Sequence, residues 1–244
     1  MTHVTRPPTE AWGLTGDLSA LTGGNRNRVY RLGAGEKAFA FKSTTRSAAA
    51  LEWLTPVHKA AAQAGFIVPR LRRSHGGAVV VMGWTCEPWI DGRNATWSDL
   101  GALRMKVEKF HDFSALLGQR PGFASASDMM DCDRGGDCDL SLMPPALVGL
   151  CRAAWRDLSH QPQATVHGDL NPGNVKLLQN GQFALLDWDE ARRDARVFDQ
   201  EPMGRDPAAG ITDPAVMAWE IANAWRIEPD YARQLAQRLS DLTT

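Results

Sequence analysis

This chain of 244 residues has no apolar run approaching the roughly 18 residues that a membrane span requires, which argues against a membrane-embedded protein. Its charges nearly cancel, with 27 basic and 28 acidic residues for a net charge of −1, so no basic surface for nucleic acid or anionic lipid is expected. Four cysteines (Cys86, Cys132, Cys138, Cys151) are too few for a disulfide framework in a chain this long. The start, Met1 to Glu10, is polar, carries two prolines and lacks the apolar core of a signal peptide. Both features fit a reducing, cytoplasmic setting, and without a secretion signal the sequon at Asn94-Ala95-Thr96 carries no weight. Internal repeats and low-complexity tracts are absent. The remaining composition, 43% hydrophobic and 23% charged, is that of a globular protein. The length suits one large domain or two small lobes sharing a cleft.

What the chain does contain is concentrated between Thr165 and Asp189. His167-Gly168-Asp169 is followed by Asn174, five residues after the aspartate, and then by Asp187 behind the apolar run Leu185-Leu186. Phosphoryl transfer from a nucleotide needs this set: a carboxylate to accept the hydroxyl proton, and an Asn with a second carboxylate to hold Mg²⁺ on the phosphates. Val175–Leu178 and Phe183–Leu186 flank Asn180-Gly181, a strong hairpin signal. Folding that hairpin brings Asn174 and Asp187 to one edge. The bland reading is a polar hairpin whose Asp and Asn cap turns, but turn chemistry alone requires neither His167 nor Asp169.

These residues, His167-Gly168-Asp169-Leu170-Asn171-Pro172-Gly173-Asn174 and Leu186-Asp187-Trp188-Asp189, resemble the aminoglycoside phosphotransferase and choline kinase-like family. The resemblance implies an α+β, two-lobed protein-kinase-like fold. A small antiparallel-sheet lobe with one or two helices would span residues 1–91 and bind nucleotide. A mainly helical lobe carrying the catalytic hairpin and acceptor site would span 92–244. Strong matching is confined to 165–189, although the family likeness extends over about 20–240.

The N-terminal part can be read against that expectation. Trp12 and Leu14 anchor an irregular lead-in. Leu21 to Leu32 reads as strand, glycine turn, strand, in which Gly23 and Gly24 allow close backbone approach to a phosphate; a plain Gly-Gly hairpin is the alternative. Lys37–Lys42 reads as the third strand, ending in Lys42, which could reach the α- and β-phosphates. An Ala-rich helix near Arg46–Leu54 carries Glu52, which the resemblance pairs with Lys42, and Pro56 stops it soon afterwards. A further helical stretch from Val57 to Ala64 is closed by Gly65. Phe66–Pro69 and Gly77–Met82 read as strands. Trp84–Gly92 is the last strand and the family's hinge, where Glu87 and Trp89 are the candidates for the nucleotide base; Pro88 has no N–H, leaving Trp89 as donor.

Beyond the hinge, Thr96-Trp97-Ser98-Asp99 is a capping-box helix start. The spacing of Leu100, Leu103, Val107, Phe110, Ser114 and Leu117 predicts one apolar helix face. His111 on this helix resembles a structural histidine of the family. The acidic stretch Asp128–Asp139 is read as a solvated loop or an acceptor-binding loop; neither a calcium loop nor a zinc site fits its spacing. A helix from Pro145 to His160 precedes the catalytic stretch. Asp199 resembles a family carboxylate that braces the catalytic loop through backbone N–H groups. Asp213-Pro214 and Pro229-Asp230 open the two last helices.

The expected activity is transfer of the γ-phosphoryl of ATP or GTP to a hydroxyl of a small polar acceptor (aminoglycoside-like, sugar or amino alcohol). Asp169 would be the base, Asn174 and Asp187 would hold Mg²⁺, and Asp189 is a possible further metal or acceptor contact. The alternative is a catalytically idle nucleotide-binding or scaffold protein on the same fold. Nucleotide and a small hydroxyl acceptor are the expected partners, with no nucleic acid and no membrane.

Overall fold

Short strands of four or five residues build the N-terminal sheet. In the computed structural model, which describes residues 6–21 and 27–243, strands β1 (Leu18–Leu21), β2 (Val29–Leu32) and β3 (Phe39–Ser43) pair antiparallel in chain order. Helix α1 (Ala48–Glu52) begins where the Ser47 side chain accepts the Ala50 N–H, and α2 (Leu54–Gln63) follows directly. Pro56 does not end a helix; it sits in the first turn of α2, where a missing N–H costs nothing. Gly65 then closes the helix at φ 94°. Strand β4 (Trp84–Pro88) completes an antiparallel sheet of order β1-β2-β3-β4, and β5 (Arg93–Asn94) follows.

The two strands expected at 66–69 and 77–82 do not form. Ile67 makes one parallel bridge to Ala184, Val81 makes one bridge to Trp84, and the Arg72 N–H donates to the Cys86 carbonyl at 2.7 Å. Pro69 removes a donor, and the turns around Gly77 and Met82-Gly83 cut the second run short. Trp12 is fully buried as the lead-in predicts, its indole N–H on the Arg72 carbonyl and its ring edge-on to Phe41, in a core with Leu32, Trp84 and Cys86.

The single helix expected from Thr96 is two: α3 (Trp97–Gly101), with the capping box formed by Thr96 and Asp99, and α4 (Arg104–Ser114). Gly101 weakens the join. The apolar face survives the break, because Leu100, Leu103, Val107, Phe110 and Ser114 are all buried. Then come the two-residue strands β6 (Arg134–Gly135) and β7 (Cys138–Asp139), α5 (Pro145–Trp155), β8 (Gln163–Val166), β9 (Val175–Leu177), β10 (Phe183–Leu185) and β11 (Arg192–Ala195). Helices α6 (Val197–Gly204), α7 (Pro214–Ala224) and α8 (Pro229–Thr243) finish the chain. The Asp213 side chain caps α7 by accepting the Ala215 and Val216 N–H groups. No helix among the described residues is long and apolar enough to cross a membrane.

The chain divides into two compact units, residues 1–94 with 176–186, and residues 95–175 with 187–244. This division falls at 94/95, and most of the β9–β10 hairpin belongs to the first unit. Its backbone explains why: β9 pairs with β5, and Ile67 exchanges hydrogen bonds with Phe183 and Leu185. The second unit is built around α7, nearly all of which is buried against a core including Trp155, Phe198 and Leu235.

That core also contains a charge pair. Arg192 and Asp194, both fully buried, meet at 2.8 Å. Asp194 further accepts the Ala126 and Ala195 N–H groups, and the Arg192 guanidinium lies 3.5 Å from the centre of the Trp219 ring. Removing one partner leaves an uncompensated buried charge, at a cost of about 3–5 kcal/mol. Asp194→Ala is expected to lower the unfolding free energy by that amount, seen as a lower urea midpoint with an unchanged slope; a loss below about 1 kcal/mol would show that the pair contributes little.

Candidate active site

The loop after β8 is held by one buried carboxylate. The Asp199 side chain, from the first turn of α6 and only 1% exposed, accepts the His167 N–H at 2.8 Å and the Gly168 N–H at 3.0 Å. Its Oδ2 also lies 2.9 Å from the His111 Nε2 on α4. Burial pushes this carboxyl up, but the His111 hydrogen bond and charge, the charge of His167 and the Gly168 N–H outweigh it and leave it below the usual carboxylate range. The bracing role anticipated for Asp199, and the packed role anticipated for His111, are both seen. Gly168 adopts φ 82°, and a Cβ there would lie 2.7 Å from the Glu190 carbonyl oxygen, so only glycine fits.

Asp169 comes next, half-buried, and its carboxylate is oriented by two neutral amides. Asn171 donates to Oδ1 and Asn174 to Oδ2, each at 2.8 Å, and Asn174 also donates to the Asp169 carbonyl at 2.9 Å. The Asn171 side-chain oxygen in turn accepts the Gly173 and Asn174 N–H groups, closing the turn on itself. The five-residue spacing of Asp169 and Asn174 therefore places one side chain directly on the other. With its nitrogen committed to Asp169, the Asn174 amide has its oxygen left for a cation.

Asp187 is exposed and has φ 58°, a left-handed conformation that costs a non-glycine residue of order 1 kcal/mol or more. The segment just beyond Asp187 is tightly held. Arg120, 1% exposed, donates from Nη1 to the carbonyls of Trp188, Asp189 and Ala191 at 3.0, 3.0 and 3.1 Å. The Trp188 ring packs 4.7 Å from His167 and 5.6 Å from Phe110, centre to centre. Asp187 and Asn174 each offer an oxygen donor of the kind that Mg²⁺ accepts, so the chemistry of both side chains fits the ion. Among the described residues no group of three or more His, Cys, Asp or Glu side chains could hold a metal.

In the first unit, Lys42 is half-buried on β3, opposite Val29 and Thr85. Glu52 does not make the pair expected of it. Arg73 takes both its carboxylate oxygens, at 2.7 and 2.6 Å, because the extended 70–73 segment runs alongside α1. Trp89 is also committed elsewhere: its N–H donates to the Ala38 carbonyl at 2.9 Å, its indole N–H to Asp91, and the Arg31 guanidinium stacks on its ring. The expectation of a free Trp89 donor is thus corrected. Glu87 lies opposite Ala40 in the sheet. Gly23 and Gly24 fall outside the described residues.

Several contributors were not anticipated. Arg120 belongs to no motif, and a lone arginine after a helix gives no sign that it will clamp a loop about seventy residues away. Tyr231 on α8 has its phenol pushed up to about 12 by burial and by the charges of Glu220, Glu228 and Asp169, against the opposing charge of Arg205. Tyr231 thus lies within electrostatic reach of Asp169. The acidic 128–139 stretch largely serves itself: Asp128 accepts the Ser125 N–H, Asp133 pairs with Arg152, and Asp139 pairs with Arg134.

Two measurements test this geometry. Arg120→Met should lower turnover roughly 10²-fold, as expected for about 1 Å of misplacement, while the protein stays folded; unchanged turnover would remove Arg120 from the site's support. Because the folded-state pKa of Asp199 is depressed, its stabilisation is present above the unfolded carboxylate pKa of about 3.9 and is lost as pH falls through the lower native value. Asp199→Asn should therefore melt well below the parent at pH 7, with the gap narrowing below about pH 4. A gap independent of pH would contradict the assignment.

The phosphotransferase enzyme family model matches residues 17–233. No curated protein matches the chain in sequence. Among solved structures, an aminoglycoside phosphotransferase from Alicyclobacillus acidocaldarius is 16% identical, with a TM-score of 0.56, over 96% of this chain and 94% of that one. Choline kinase LicA from Streptococcus pneumoniae is 12% identical, with a TM-score of 0.63 and 93% of each chain covered. Spectinomycin phosphotransferase APH(9)-Ia, solved with ADP and spectinomycin, is also 12% identical, with a TM-score of 0.57 over 93% and 87%. The fold is the α+β, kinase-like one, an antiparallel-sheet N-terminal region followed by a helical C-terminal region. With the family model spanning most of its length, the chain belongs to the phosphotransferase enzyme family, whose members carry phosphoryl groups to hydroxyls.

Proposed function

We propose that the protein transfers the γ-phosphoryl group of ATP or GTP to a hydroxyl of a small polar acceptor. The observation that carries this reading is the Asp169 carboxylate, half-buried and fixed by the Asn171 and Asn174 amides on a loop braced by Asp199. Asp169 accepts the acceptor's hydroxyl proton as that oxygen bonds to the γ-phosphorus. The bond from phosphorus to the β–γ bridging oxygen breaks, and the nucleoside diphosphate leaves with the electron pair. A positioned base contributes roughly 10²–10⁴ in rate, and fixed geometry with charge stabilisation supplies much of the rest.

Asn174 and Asp187 would hold Mg²⁺, which neutralises phosphate charge. Lys42 adds a positive charge at the phosphates, and Gly23 and Gly24 are proposed as backbone contacts to them. Glu87 remains a hinge candidate for the base.

A second reading, an idle nucleotide-binding or scaffold protein, draws on the Glu52–Arg73 pair, which leaves Lys42 without the glutamate that the family resemblance assigns it. Turnover separates the two. Phosphate transfer to aminoglycosides, macrolides, sugars and amino alcohols would be measured with Mg²⁺ and ATP or GTP, beside Asp169→Asn. Loss of turnover by roughly 10² or more in that variant, with nucleotide still raising its melting temperature, is the expected result. Turnover equal to the parent would sink the assignment of Asp169, and nucleotide stabilisation without transfer to any acceptor would favour the idle reading.

A further inference from the structure

The first unit contains a cavity of about 530 Å³ where α1 and α2 face the extended segment 70–73. Its floor is apolar, with Pro56 and Leu71 accessible and Leu51, Leu54 and Val79 buried beneath them. The charges along its wall are of one sign, Lys59, Arg70 and Arg73. The side chains of Lys59 and Arg70 make no hydrogen bond or ion pair among the described residues. Arg73 already holds a carboxylate: Glu52 occupies its fork with two short, parallel hydrogen bonds. That pair is largely open to solvent, with the two side chains 55% and 39% exposed, so it is weak and readily exchanged.

An apolar floor beside unpaired cations matches a ligand with one apolar end and one anionic end. The volume falls in the range of small-molecule sites. Inorganic phosphate would leave the floor uncovered, and a neutral lipid would leave the cations without partners. We propose that this cavity binds a small amphipathic organic anion, a carboxylate on an unbranched apolar chain. Its tail covers Pro56 and Leu71 above that buried layer, and its head is taken by Lys59, Arg70 and Arg73. The arginine fork accepts the head bidentately, as it now accepts Glu52. Glu52 is therefore an internal competitor for the ligand, and its removal strengthens binding.

Isothermal titration of the whole protein with sodium octanoate, below its micelle concentration, tests this, with octan-1-ol as the uncharged control. One octanoate per chain is expected, and at least tenfold weaker binding of octan-1-ol. Lys59→Glu with Arg70→Glu should weaken octanoate about tenfold, whereas Glu52→Gln should tighten it severalfold. Lys59 and Arg70 are exposed, so the double variant is expected to fold, which its melting curve checks. Asp169→Asn should leave octanoate affinity unchanged, which separates this cavity from the acceptor site; the result therefore stands or falls independently of the kinase reading. No saturable binding, equal affinity for octanoate and octan-1-ol, or an affinity indifferent to the charge substitutions would overturn the proposal.

Discussion

The loop that carries Asp169 depends on a buried carboxylate outside it, Asp199. Asp199 gathers two backbone N–H groups of the loop before Asp169 and the imidazole of His111, and so binds α6, α4 and the end of β8 at one point. A buried charge with several donors is favourable only while every donor stays in place. The loop therefore has one arrangement. Gly168 is the other half of this constraint: its left-handed backbone lets two successive N–H groups reach the same side chain, and the 190–192 segment fills the space a Cβ would need.

The same economy applies at Asp187. A left-handed aspartate relaxes unless its neighbours prevent it, and the residues after it are fixed twice over. Arg120 ties three carbonyls just beyond it, and Trp188 is wedged between His167 and Phe110. The next strand, β11, pairs with β8 in the register Arg192 to Val166, so the segments bearing Asp169 and Asp187 belong to one hydrogen-bonded assembly. The buried Arg192–Asp194 pair locks that assembly to α7 through Trp219.

Local rules made much of this legible. The capping box at Thr96, the Asp213-Pro214 helix start, Gly65 and the Asn180-Gly181 turn are signals of a few residues, and each produced its element. The His167–Asn174 stretch was readable because its residues act on one another across five positions. What failed was long-range. Nothing near Glu52 announces that Arg73, twenty-one residues on, captures it before Lys42 can. Nothing near Trp89 shows that Ala38 takes its N–H. The strands expected at 66–69 and 77–82 had the right side chains but too few partners, since the sheet closes with β4 and Ile67 pairs with the β9–β10 hairpin instead. The hairpin's place in the first unit comes from that bridge, which no periodicity encodes.

Two aspartates thirty residues apart show how surroundings decide roles. Asp199 is enclosed, and both its oxygens are filled by donors that belong to the fold, so it cannot take a substrate proton without breaking the loop's support. Asp169 is held through neutral amides on one side and remains partly open to solvent. Its position is fixed while the residue stays half-buried rather than enclosed. A cation in place of Asn171 or Asn174 would hold Asp169 more strongly but would stabilise its charge against protonation. Amides orient without that opposition, which is the physical sense of two asparagines flanking the residue proposed as base.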